Sequence, residues 1–141
     1  MESLPELEML SGVAVSLGIE AKVAIRVNPD VDARTHEKIA TGKSENKFGV
    51  EWADAPEAYA RAAQLPGIRV TGVAVHIGSQ ILDLEPFRKA YGLVAGLVAE
   101  LRSAGHAIEH LDLGGGLKME FVWVGALNGW GGKYEVTNAE L

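Results

Sequence analysis

The amino-acid sequence predicts a parallel α/β fold made of consecutive βαβ units. Two observations carry this. Apolar residues recur at helical spacing in three segments, and these alternate with three short runs that read as strands, the second so nearly continuous in apolar residues that both its faces should be covered. Their order, helix, strand, helix, strand, helix, strand, is that of two successive parallel crossover units.

Each element has its own local signals. Ser3-Leu4-Pro5-Glu6 has the spacing of a capping box, and Leu7, Leu10, Ala14 and Leu17 follow on one stripe before Gly18, which predicts a helix over 4–17. Residues 21–27 are short and rich in β-branched side chains, and they close on Asn28-Pro29 as a buried strand does. Asp54, with Pro56 and Glu57 in the first turn, predicts the cap of a second helix whose stripe is Ala55, Ala58, Tyr59, Ala62 and Ala63; Pro66-Gly67 ends it. A second strand follows over 70–77, interrupted only by Thr71, Gly72 and His76. Asp83 predicts the cap of a third helix, with Pro86 in its first turn and Phe87, Ala90, Tyr91, Val94, Leu97, Val98 and Leu101 at helical spacing before Gly105. The last strand, 108–113, runs into Gly114-Gly115-Gly116. Between Asn28 and Ala53 there is no stripe, so that connection reads as a functional loop containing a short helical turn. Beyond Lys118 the character shifts, and a tail with Trp123, Trp130 and Gly131-Gly132 continues no βα pattern.

Composition narrows the function. The 141 residues suit one domain or a piece of one. Thirteen Lys and Arg against nineteen Asp and Glu give a net charge of −6, which provides no basic field for nucleic acid or an anionic membrane. Cysteine is absent, excluding disulfides, thiolate metal ligands and a cysteine nucleophile. No run is long and apolar enough to span a bilayer, and residues 1–5 lack the regions of a signal peptide; a cytoplasmic chain is expected.

In parallel α/β folds ligands bind at the C-terminal ends of the strands, where loops and helix starts present free backbone N–H groups. Three polar or glycine-rich clusters fall there: Asn28-Pro29-Asp30, His76-Ile77-Gly78-Ser79-Gln80 and Asp112-Leu113-Gly114-Gly115-Gly116. The triple glycine can turn tightly and aim successive N–H groups at phosphate oxygens, or it is a plain turn that needs positive φ. Ser79 is placed to add a hydroxyl to the same anion, or it is a turn residue. His76 is the one polar side chain of its apolar run, suited to stacking on a flat ring or moving a proton, or to a satisfied core position. Arg26, one residue before the end of its strand, either projects inward toward a carboxylate or ligand or sits in an exposed ion pair. Other motifs fail. Gly42-Lys43-Ser44 lacks the first glycine and the preceding strand of a P-loop, Ser79 lies in no nucleophile elbow, and His106 and His110 share no face for a metal. No metal site is expected.

The strand ends together form a signature. Arg26-Val27-Asn28-Pro29-Asp30, Thr41-Gly42 with Asn46-Lys47-Phe48-Gly49, His76-Ile77-Gly78-Ser79-Gln80 and Asp112-Leu113-Gly114-Gly115-Gly116-Leu117 closely resemble diaminopimelate decarboxylases, pyridoxal-phosphate enzymes with an alanine-racemase-like (β/α)8 barrel. The His-Ile-Gly-Ser-Gln form favours that branch over the ornithine and arginine decarboxylases. The resemblance covers residues 3–117 and implies a partial (β/α)8 barrel over 1–117, with 118–141 an unassigned tail. It further implies pyridoxal 5′-phosphate as cofactor, with His76 stacked on its ring, Ser79, Gly114, Gly115 and Gly116 on its phosphate, and Arg26 nearby. Residues 46–49 would lie at the mouth of the site and contribute to dimer contacts. The reaction implied is decarboxylation of meso-diaminopimelate at its D-configured centre, giving L-lysine and carbon dioxide, in lysine biosynthesis.

The departures are specific. The family's Schiff-base lysine stands on an earlier strand, and none of the seven lysines (Lys22, Lys38, Lys43, Lys47, Lys89, Lys118, Lys133) has that context. Its acid cysteine belongs to a C-terminal β-domain, and this chain has none. No catalytic residue is therefore assigned, and the chain alone is expected to be inactive. The tail departs from the family at Lys118-Met119-Glu120. Three readings stand: the central barrel segment of a diaminopimelate decarboxylase; an inactive fragment or remnant that folds as a three-stranded piece and self-associates; and a related amino-acid decarboxylase of the same barrel family.

Overall fold

A computed structural model describes residues 1–32 and 48–118, together with the backbone of 121–124 and 133–136. Three helices, α1 (Leu4–Leu17), α2 (Ala55–Ala62) and α3 (Glu85–Ser103), alternate with strands β1 (Ala21–Asn28), β3 (Ile68–Ala74) and β4 (His110–Asp112). A two-residue strand, β2 (Val50–Glu51), precedes α2 and pairs with the far edge of β1, so the sheet has four strands in the order β2-β1-β3-β4 rather than the expected three. Every pairing in it is parallel, and the two βαβ units are those expected. In the tail, β5 (Phe121–Val124) and β6 (Lys133–Val136) form an antiparallel pair of their own. Of the sequence features singled out above, Thr41-Gly42, Gly42-Lys43-Ser44, Asn46-Lys47, Trp130 and Gly131-Gly132 lie outside the described residues.

The helix ends follow from local chemistry. The Ser3 side chain accepts from the Glu6 amide at 3.3 Å, and the Glu6 carboxylate accepts from the Glu2 amide at 2.6 Å, so the capping interactions at the start of α1 are formed. Gly18 (φ 63°) closes α1, and Ile19 N–H reaches back to the Ala14 carbonyl. Gly105 (φ 92°) closes α3 in the same way, with His106 N–H on the Leu101 carbonyl. Asp83 acts one residue before the formal cap, its carboxylate accepting from Glu85 N–H at 2.9 Å. Asp54 does not cap α2 with its side chain: a 3-10 turn, Trp52–Asp54, runs directly into the helix and leaves Asp54 helical. That turn lies at the end of the long connection, of which residues 33–47 fall outside the described residues.

Helices cover one face of the sheet. Val23, Ile25 and Val27 of β1 and Val70, Val73 and Val75 of β3 and its extension are buried against Leu7, Tyr59, Ala62, Val94, Leu97 and Leu101. Leu17, expected on the buried stripe of α1, is exposed; Ser11 is buried instead and spends its hydroxyl on the Pro66 carbonyl at 2.7 Å. Ala63 is likewise exposed, at the end of α2. The strands are offset from expectation at their ends, β3 starting at Ile68 and β4 covering only His110–Asp112, although Val75 N–H still bonds the Asp112 carbonyl at 2.8 Å.

The β1–β3 ladder contains one irregularity that decides which residues face where. Val23 pairs with Val70, but Ala24 pairs with Gly72, so Thr71 is an extra residue in β3. Side chains alternate along a strand, and one inserted residue inverts the phase of all that follow. Val70 and Val73, an odd number of positions apart, can therefore both face the helices, and Ala74 and His76 turn to the other face. Tyr59 of α2, fully buried, sits at this point and donates its hydroxyl to the Gly72 carbonyl at 2.8 Å. Burial pushes the Tyr59 pKa far above the usual range for a phenol, opposed in part by a backbone hydrogen bond from Ile25. The ring thus touches both strands where their register shifts.

Beyond the strand ends, the β3–α3 loop and the glycine loop after β4 form a backbone seam. Ile81 N–H bonds the Gly116 carbonyl at 2.8 Å and Lys118 N–H bonds the Ile81 carbonyl at 2.9 Å. Gly114 (φ 69°) and Gly116 (φ 108°) lie where a Cβ would run into the carbonyls of Val75 and Gly78 respectively. A Cβ on Gly115 would meet nothing within 4 Å.

Two predictions follow from these packings. Tyr59→Phe should lower stability by about 1–2 kcal/mol in equilibrium denaturation, because it leaves a buried carbonyl without its donor. Gly116→Ala should destabilise by about 1–3 kcal/mol through strain and backbone collision, whereas Gly115→Ala should leave the unfolding midpoint nearly unchanged.

Candidate functional site

The face of the sheet away from the helices is polar. Ala24, Arg26 and Asn28 of β1 lie on it, and register places Ala24 beside Gly72, Arg26 beside Ala74, and Ala74 beside Asp112. His110 stands beside Gly72 on the same face, and His76 follows Ala74 by two residues. Toward the C-terminal ends of the strands this face holds an arginine, an asparagine, two histidines and an aspartate, where the opposite face holds valines.

Arg26, Asn28 and His76 line one cavity of about 190 Å³, closed by Val31, Phe48, Ile77 and Gly78. Two nitrogens of these residues, Arg26 Nε and Asn28 Nδ2, are buried and have no hydrogen-bond partner among the described residues. Buried donors rarely go unpaired in folded proteins. Asn28 uses its other atom locally, Oδ1 accepting from Asp30 N–H at 3.0 Å, which holds the turn in which Asp30 has φ 50°. A wider cleft of about 590 Å³ between residues 29–32 and α3 is lined by none of Arg26, Asn28 or His76.

The structure brings the sequence-predicted residues together. The seam places Gly114 against His76, with a Cβ there only 3.1 Å from His76 Nδ1, and Gly116 against Ser79, with a Cβ there 3.3 Å from Ser79 Cα. His76 and Ser79 are exposed at this end, as are Gly114 and Gly115. The three glycines are not equivalent donors. Gly114 N–H is held by the Asp112 carboxylate at 2.9 Å, while no described residue accepts from the amides of Gly115 or Gly116. The positive φ expected of the triple glycine is present at its two outer positions. His106 and His110 are apart: the His106 ring packs edge-on against Tyr59 at 5.8 Å, and His110 is on the polar face.

Arg26 is held from outside the cavity as well. Its Nη1 donates to Glu2 Oε1 at 2.6 Å, and its guanidinium carbon lies 5.7 Å from the centroid of the Phe48 ring. Sequence reasoning missed Glu2, which arrives through tertiary pairing: Met1 N donates to the Ala24 carbonyl and Met1 O accepts from Arg26 N–H, so Met1 runs alongside β1. No motif marks that pairing. Asn28 and Asp112, by contrast, carried a legible signal as polar residues at strand ends.

The family described as pyridoxal-dependent decarboxylase, pyridoxal binding domain, matches residues 1–125. Diaminopimelate decarboxylase of Zymomonas mobilis subsp. mobilis is 52% identical over 121 residues, which are 86% of this chain and 29% of that protein. The namesake enzyme of Pseudomonas aeruginosa is 53% identical over 121 residues, again 86% and 29%. Among solved structures, diaminopimelate decarboxylase from Helicobacter pylori in complex with L-lysine superposes with a TM-score of 0.75 at 43% identity, covering 82% of this chain and 29% of that one. An alanine racemase from Clostridium difficile shares the fold at 18% identity and a TM-score of 0.58, covering 79% of this chain and 26% of its own. The chain therefore spans under a third of the length of these proteins, and its open parallel sheet is part of their barrel. On a match over residues 1–125, carrying the strand-end residues just described, the chain belongs to the pyridoxal-dependent decarboxylases, in the family of their pyridoxal binding domain.

Proposed function

We propose that this chain carries the phosphate-binding and ring-stacking half of a pyridoxal 5′-phosphate site, in a protein that decarboxylates meso-diaminopimelate to L-lysine. The observation that carries the reading is the conjunction at one sheet end of two buried donors, Arg26 Nε and Asn28 Nδ2, with the Gly115 and Gly116 amides of the glycine loop, none of these four having a partner among the described residues. A planar, anionic cofactor rich in acceptor oxygens fits that donor set. Identity of 52% to a diaminopimelate decarboxylase supports the substrate over other amino acids.

In this reading the amides of Gly115 and Gly116 and the Ser79 hydroxyl hold the phosphate, and the open space over Gly115 lets its oxygens approach the backbone. Asp112 fixes the loop by taking the Gly114 amide, which directs the other two amides outward. The His76 imidazole, backed by Gly114, offers a flat face to the ring. Arg26 and Asn28 supply donors from below, and Phe48 covers the guanidinium from solvent. The cofactor, when bound, supplies the electron sink for the charge left on carbon by loss of carbon dioxide. Residues on this chain bind and orient; among the described residues no lysine lines the cavity, and the sequence has no cysteine to act as acid. Among the described residues no helix is long and apolar enough to cross a membrane. Leu111, Leu113 and Leu117, exposed along β4 and the loop after it, favour self-association.

Fluorescence titration with pyridoxal 5′-phosphate tests the site. Ser79→Ala should weaken binding by about three- to tenfold through loss of one donor to a charged group. Gly115→Val, which leaves the seam intact but fills the approach to the amides, should weaken it more; unchanged affinity in both variants would remove the phosphate site from this loop. Borohydride reduction of the mixture, followed by mass spectrometry, should label no single lysine of this chain stoichiometrically. One stoichiometric adduct would overturn the assignment of no catalytic lysine.

A further inference from the structure

A guanidinium in a cavity wall needs a carboxylate to hold it, because a long arginine side chain otherwise keeps its rotamer freedom and its solvent. Arg26, whose side chain is 22% exposed, takes its carboxylate from outside the sheet. Asp112 is two strands away at the same level, but its carboxylate is engaged with Gly114 N–H. Glu2 makes the contact, at 2.6 Å to Nη1.

The position of Glu2 is fixed by backbone and not by its partner. Two hydrogen bonds, Met1 N to the Ala24 carbonyl at 3.1 Å and Arg26 N–H to the Met1 carbonyl at 2.8 Å, pin the preceding residue to β1. The amide of Glu2 itself is held by the Glu6 carboxylate, and Ser3 begins α1. Glu2 does not line the cavity that contains Arg26 and His76. It stands behind the arginine, in the wall of a separate cleft with Glu51, Asp54 and Glu57. The guanidinium is therefore fixed at its Nη1 end by a charge-assisted hydrogen bond and covered on one face by Phe48, while the buried Nε has no partner among the described residues.

We propose that Glu2 is a positioning residue: by holding Arg26 Nη1 it sets the rotamer in which Arg26 lines the cavity beside His76. Its effect on a ligand passes through Arg26 alone. The consequence for binding rests on the cofactor reading above, whereas the position of the guanidinium does not.

Nitrogen-15 NMR of the arginine side chains in the whole 141-residue chain reads that position directly. Arg26 should show a resolved Nε–H cross-peak, distinct from that of Arg88, whose side chain is 83% exposed. Glu2→Ala should move the Arg26 peak to the exposed position while the backbone amides of β1 and β3 keep their shifts, and Glu2→Asp should restore it in part. An Arg26 peak unmoved by Glu2→Ala overturns the proposal. A second arm uses pyridoxal 5′-phosphate binding. Glu2→Ala should weaken it by about three- to tenfold, and adding Glu2→Ala to Arg26→Ala should cost nothing further, since the two act as one unit. Additive losses, or a Glu2→Ala variant that binds as the parent does, would also overturn it. If no form binds the cofactor but Glu2→Ala displaces the Arg26 resonance, the cofactor reading falls and the positioning role of Glu2 stands.

Discussion

The site depends first on a register shift inside the β1–β3 ladder. Side chains on a strand alternate without exception, so the valines that build the core and the histidine and arginine that face the other way must be in phase on both strands. The extra residue Thr71 makes this possible in β3. Without it, a strand that buries Val70 would bury Ala74 and His76 as well, and expose Val73 and Val75. A bulge in a parallel ladder leaves backbone groups short of partners, and the Tyr59 hydroxyl fills that place, donating to Gly72 and accepting from Ile25. One buried phenol from α2 thus underwrites the orientation of every residue beyond position 71 of the strand.

From that point the site assembles itself from strand ends. Arg26, Asn28 and His76 come to one cavity because they share a face and a height on adjacent strands, and the glycine loop reaches them because β4 pairs with β3 in register. The loops then lock through the Asp112 carboxylate at Gly114 and through backbone at Gly116, which leaves Gly115 as the position where a Cβ would meet nothing within 4 Å.

Much of this was legible in the sequence because it is local. Caps at Ser3 and Asp83, helix stops at Gly18 and Gly105, and polar residues at strand ends are each written within a few positions of where they act. Asp54 misled because a 3-10 turn entering α2 satisfies the helix start by a route that looks the same in sequence as a cap. Leu17 misled because an apolar residue in the last turn of a helix matches the stripe whether or not anything covers it. The bulge at Thr71, the β2 pairing and the Glu2–Arg26 contact were not legible at all, since each depends on which strand lies beside which. The unpaired nitrogens of Arg26 and Asn28 could be seen only once their surroundings were known.

The seam between the two loops has a thermodynamic consequence. It is joined by the Ile81 N–H to Gly116 and Lys118 N–H to Ile81 hydrogen bonds; Ile81 is buried but Ser79, Gln80, Gly115, Leu117 and Lys118 around it are exposed, and such a region opens at a lower free energy than the core beneath it. A ligand that engages Ser79 on one side and Gly115 and Gly116 on the other spans both halves, so its binding energy adds directly to the closed form. Amide exchange at Ile81 and Lys118 then reports occupancy of the site, although neither amide touches the ligand. Local cohesion of the β3 and β4 loops is in this sense supplied partly by what they bind.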